Sequence, residues 1–106
     1  MPAIADRMIY FCTVATNSGD VVQERSVSDL DRATTVKDIA TGQIEDLVQV
    51  IECNVVEGTS RDVTSDIARD VMNVWASEAE PLADWQYVFV EMFVSKQAAD
   101  SFRRAA

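Results

Sequence analysis

Carboxylates are the residues of this chain whose number and spacing suggest chemistry. Asp62, Asp66 and Asp70 recur every fourth residue, so on a helix they line one side. Successive members of such a row are about 6 Å apart, near the roughly 7 Å between adjacent phosphates of one nucleic-acid strand. A row of this kind can stand in for a phosphate backbone. The plainer reading is a solvated helix face, on which like charges cost about a few tenths of a kcal/mol each and Arg69 offsets part of that cost. Asp62 and Asp66 with Glu57 also supply the oxygen donors that Mg²⁺ or Ca²⁺ prefers. The calcium-loop pattern Asp-x-Asp-x-Asp-Gly is missing, so no metal is expected. Glu52 lies inside an apolar run. If an acid faced it across a sheet, burial would raise its pKa and suit it to acid–base work. Otherwise it marks where the Val48/Val50 face becomes wet.

Other chemistries are excluded by what the chain lacks. It has no histidine, which removes imidazole catalysis, Ser-His-Asp and Cys-His sites and every His-containing zinc site. Its two cysteines, Cys12 and Cys53, have no metal-ligand spacing and read as reduced, buried thiols of a cytoplasmic protein. A disulfide between them requires neighbouring strands. There is no Gly-rich phosphate loop and no nucleophile elbow. Trp75, Trp85, Tyr87, Phe89 and Phe93 form an aromatic group, but their surroundings are acidic rather than the basic groove that base stacking needs, so they read as core. Arg103 and Arg104 suit the C-terminal end of a helix. The expectation is a non-enzymatic protein without cofactor or metal.

The elements that carry these residues form an α+β outline. Residues 8–15 and Val21 to Ser26 read as a β-hairpin around the turn cluster Asn17-Ser18-Gly19-Asp20, with Glu24 and Arg25 marking a wet face or an edge. Ser28, with Asp31 three residues on, can cap a short helix, and Thr34-Thr35-Val36 predicts a break that divides it in two. Gly42 ends it. Residues 46–53 predict a central third strand, because both of its faces carry apolar groups. Asn54 to Ser60 reads as a loop. From about Asp62 to Ala79, Val63, Ile67, Val71, Val74 and Trp75 form a core-facing helix stripe. Pro81 suits the first turn of a final helix, which runs through Leu82, Trp85, Val88, Phe89, Met92 and Phe93 to Ala105. Residues 85–95 also have strand propensity. Two longer C-terminal helices packed on one face of a small sheet complete the expected fold.

At 106 residues the chain is read as a single acidic domain over 1–106. Met1–Arg7 lacks a secretory pattern, and no apolar run approaches membrane-spanning length. The net charge of −9 is uneven: residues 38–91 hold twelve acids against Arg61 and Arg69, or −10. Such a field repels nucleic acid and acidic membranes and attracts a basic partner. In size, acidity and lack of catalytic residues, the chain is similar in kind, though not in sequence, to phage and mobile-element inhibitors. These include DNA-mimicking anti-restriction proteins and anti-CRISPR proteins. The expected function is therefore protein-binding inhibition of a nucleic-acid-handling complex, with Glu45, Asp46, Asp62, Asp66, Asp70, Glu78 and Glu80 as the contact set. The alternative is a structural or regulatory module whose acids serve solubility, dimerising through Tyr87, Val90, Val94 and Ala98.

Overall fold

Alternating β-branched and aromatic residues give β1, Met8–Thr16, whose Tyr10, Cys12 and Val14 are buried while their neighbours stay partly wet. The computed structural model describes residues 8–78 and 80–105. The secretory reading of residues 1–7 and the helix end at Ala79 lie outside them. The fold is α+β, and the chain comprises two compact units, Met1–Thr64 and Ser65–Ala106.

The first unit is a four-stranded antiparallel sheet in the order β2-β1-β3-β4. β2, Gly19–Val22, folds back on β1 through a tight turn in which Gly19 has φ 117°, a conformation that only glycine adopts at no steric cost. The strand is shorter than the 21–26 expected. After Val22 the chain makes one more ladder bond, from Gln23 N–H to the Cys12 carbonyl, and then diverges. A 3-10 turn, Val27–Asp29, precedes α1, Arg32–Ala40; the expected break at Thr34-Thr35-Val36 does not occur, because those residues lie within α1 with Thr35 and Val36 on its buried side, and the division falls earlier, at Leu30 and Asp31. The cap is Asp31 rather than Ser28: its carboxylate accepts from Thr34 N–H. Hydrogen bonding from Thr34, its backbone N–H first, holds the Asp31 carboxyl below the usual range. α1 buries Thr35, Val36, Ile39 and Ala40 and lies against β1.

β3, Leu47–Asn54, is interior, between β1 and β4. The expected loop after it is instead a tight hairpin. Asn54 Oδ1 accepts from Val56 and Glu57 N–H, each at 3.0 Å, Gly58 takes φ 69°, and Thr59–Asp62 forms β4. All four β4 residues are exposed, so pairing to β3 rather than apolar burial carries this strand.

The second unit is helical. α2, Thr64–Glu78, buries Ile67, Val71 and Trp75 of the expected stripe together with Ala68, while Val74 is half-buried and the buried Val63 lies just ahead of the helix. It starts two residues later than Asp62. The final helix is two helices, α3, Asp84–Phe93, and α4, Lys96–Ala105, where the sequence suggests one. Ser95 makes the break: its hydroxyl accepts from Ala98 N–H at 3.0 Å and caps α4. Pro81 lies ahead of α3, which opens where Ala83 N–H donates to Gln86 Oε1 at 2.7 Å. Residues 85–93 are helix, not strand.

Candidate functional site

Glu52 is where a buried carboxylate meets the sheet register. Cross-strand pairing sets Tyr10 on one side of it and Arg61 on the other. The Tyr10 hydroxyl donates to Oε2 at 2.7 Å and Arg61 Nε donates to Oε1 at 2.9 Å. Glu52 is 8 % exposed, so its face does not turn wet there. No acid faces it. Hydrogen bonds from Tyr10 and then Arg61 hold its carboxyl below the usual range, against the smaller opposing effect of burial, so the condition for a raised pKa and acid–base work is not met. Burial, and then the bond to Glu52, push the Tyr10 hydroxyl up. A carboxylate held ionised with both oxygens occupied is a structural clamp, not a poised acid.

Arg25, expected to mark a wet face or an edge, is a second clamp. Its guanidinium side chain is only 6 % exposed and pairs with Asp38 at 3.3 Å. It also donates to the carbonyls of Tyr10 and Asp29 and to Thr35 Oγ1. Three separate segments are tied by one planar donor fork. Cys12 Sγ lies 3.9 Å from the same guanidinium. Cys12 is buried and Cys53 half-buried, and both are free thiols. Their strands are neighbours, but Cys12 faces Val50 while Cys53 faces Ile9, which places them on opposite faces of the sheet. Burial pushes the Cys12 thiol up, so it is not activated as a nucleophile.

The carboxylate row does not form as one helix face. Asp62 ends β4, where Oδ1 accepts from Thr64 N–H and Oγ1 and Oδ2 accepts from Gln49 Nε2 at 2.8 Å. These bonds hold its carboxyl below the usual range. Asp66, in the first turn of α2, is exposed, and Asp70 is half-buried. Glu57 lies in the β3–β4 turn. Among the described residues no three His, Cys, Asp or Glu side chains converge as a metal site, and no helix is long and apolar enough to cross a membrane.

Glu45, Asp46, Asp66, Glu78 and Glu80 are exposed. Among the described residues their carboxylates have no hydrogen-bond or ion-pair partner. Asp46 takes φ 56°, a left-handed conformation that Asp tolerates better than most residues.

The aromatic group divides. Trp75 and Phe89 are buried, 2 % and 8 % exposed, whereas Trp85 is 48 % exposed. Edge-to-face contacts link Trp85 to Trp75 at 5.5 Å and Trp75 to Phe89 at 5.4 Å, and Phe93 lies 5.0 Å from Phe89. Arg103 stacks over Tyr87 at 4.7 Å and pairs with Glu91 and Asp100. Val90, at the centre of the expected dimer face, is completely buried, and Tyr87, Val94 and Ala98 are half-buried. The solvent-facing apolar residues of α3 are Trp85, Val88 and Met92; of these the sequence reads Trp85 as core, because periodicity alone does not say which side of an apolar helix is covered.

No protein family matches this chain, and no curated protein or solved structure matches it at a significant level.

Proposed function

We propose that this chain is a non-enzymatic, acidic protein-binding inhibitor that occupies and blocks a basic nucleic-acid-binding surface. The observation that supports this reading is the set of exposed carboxylates without internal partners, Glu45, Asp46, Asp66, Glu78 and Glu80. They lie in a segment whose two cations include Arg61, already bonded to Glu52. Asp70 belongs to the same acidic stretch. Asp62 contributes charge, but its oxygens are occupied. Carboxylates stand where phosphates would, and the opposite charge accelerates encounter and fixes orientation more than it adds affinity. This is the mode of anti-restriction and anti-CRISPR inhibitors.

The test begins with capture of partners from nuclease-treated cell lysate on the immobilised chain, at low and high salt, followed by competition with nucleic acid. The expected result is a basic nucleic-acid-binding protein that is released by salt and displaced by nucleic acid. For that partner, joint substitution of Glu45→Gln, Asp46→Asn, Asp66→Asn, Glu78→Gln and Glu80→Gln slows association by about tenfold or more at low salt. Capture indifferent to salt, or a partner that binds nucleic acid and this chain together, removes the proposal.

A further inference from the structure

The exposed apolar residues of the sheet unit include Val21 and Val22 on its edge strand and Val27, Val55 and Val56 in its turns. Those of α3 form a row. Trp85, Val88 and Met92 are 48, 53 and 66 % exposed, and at helical spacing they fall within about 60° of one another. Trp85 is held from beneath. Its ring stands at 89° to that of Trp75, which is buried against Phe89. An aromatic ring fixed before a partner arrives loses little conformational freedom on binding. Tryptophan is among the residues enriched at the hot spots of protein interfaces.

Charge selects the occupant. Asp84 and Glu91 are exposed and fall on the flank of the row next to Val88, within about 60° of it by the same spacing. Glu80 is exposed just ahead of α3. Of the nearby cations, Arg103 is turned onto Glu91, Asp100 and Tyr87. A second copy fits poorly. Two chains of charge −9 repel one another, and antiparallel pairing of α3 with itself sets the Asp84–Glu91 flank beside its own copy.

We propose that the Trp85–Val88–Met92 row is the anchor for a basic partner protein, one that presents an apolar row bordered by Lys or Arg side chains. The proposal rests on the inhibitor reading for the sign of the partner's charge and assigns to the row the task of retaining what the acidic field attracts. Apolar anchoring governs dissociation, whereas exposed charge governs association.

The test uses the full chain and a helical amphipathic Leu–Lys peptide, with the Leu–Glu peptide of the same apolar pattern as control. Binding is followed by tryptophan emission and by association and dissociation rates. The Leu–Lys peptide is expected to bind saturably, with a blue shift from Trp85, and the Leu–Glu peptide not to bind. Joint Val88→Ser and Met92→Ser substitution leaves net charge unchanged, and because both side chains face solvent the melting temperature holds. It is expected to raise the dissociation rate about tenfold. No saturable binding of the Leu–Lys peptide, or equal retention by the double variant, overturns the anchor. A doubling of molecular mass with concentration that disappears in the double variant also overturns it, in favour of a second copy. The two proposals fail separately. If the five-fold neutralised variant associates as fast as the parent while the row variant still loses retention, the anchor stands and the phosphate-mimic reading falls; the converse result leaves the acids and removes the anchor.

Discussion

The sheet unit and the helical unit use their polar and aromatic residues in opposite ways. In the sheet unit, two charged groups are turned inward and consumed: the Arg25 and Glu52 side chains are almost completely buried, and each is bonded to more than one segment. In the helical unit the buried groups are apolar, from Ile67 and Val71 to Trp75 and Phe89, and the acids of α2 and α3 lie outside or at the boundary. The first arrangement fixes strand positions through directional bonds, which fail if one donor is lost. The second fixes helices by packed area, leaving their polar surface free for other work.

The sharpest way to break this contrast is to shorten an aromatic side chain. Trp75→Ala is expected to destabilise the protein by about 4 kcal/mol in urea denaturation, while Trp85→Ala costs under about 1 kcal/mol because half of that ring already faces water. Equal costs would mean that Trp85 is as much a core residue as Trp75. Next comes Arg25→Ala, expected to cost about 3 kcal/mol because the carbonyls of Tyr10 and Asp29 and the Asp38 carboxylate lose a shared donor; a cost under about 1 kcal/mol would show the clamp to be ornamental. Tyr10→Phe is expected to cost about 1 kcal/mol near neutral pH. It also changes the response to acid. The folded-state pKa of Glu52 is depressed, so its stabilisation is present above the ordinary carboxylate range and is lost as pH falls through the lower folded value. Without the Tyr10 hydroxyl that depression shrinks, and the slope of stability against pH in acid becomes shallower. At the alkaline end Tyr10 and Cys12, both raised, favour the fold below their ordinary ranges and cease to do so as pH climbs through their folded values. The smallest effect is a gain: Asp46→Gly relieves the left-handed conformation and is expected to stabilise by about 0.5 kcal/mol in the same denaturation assay.

The parts of this architecture legible in the sequence are those with an apolar rhythm. β1, β3 and α2 each bury one clear set of residues, and their positions follow from periods of two and 3.6. β4 has no such signal, because Thr59, Ser60, Arg61 and Asp62 are all exposed and what makes them a strand is pairing to β3, by backbone bonds and by the side-chain bonds of Arg61 to Glu52 and Gln49 to Asp62. The break at Ser95 was hidden because both sides of it favour helix, and a single hydroxyl decides it. The partners of Glu52 are separated from it by 42 and 9 residues, so only the strand register brings them together. Arg25 reads as an edge residue from its neighbours, yet its side chain is only 6 % exposed and paired with Asp38. For the acids, the sequence locates the excess but not its use: the structure separates Glu52 and Asp62, which are spent on the fold, from Glu45, Asp46, Asp66, Glu78 and Glu80, which are not.

β2 pairs with only the second half of β1. Beyond Cys12 the first half of that strand would present bare ladder groups to any passing chain. At Tyr10 both are taken: its N–H donates to the Leu30 carbonyl at 2.8 Å, and its carbonyl accepts from the Arg25 guanidinium. A turn carbonyl and a side chain thus substitute for the missing strand. At Tyr10, therefore, this stretch of the sheet border offers no bare ladder group for another chain to pair with.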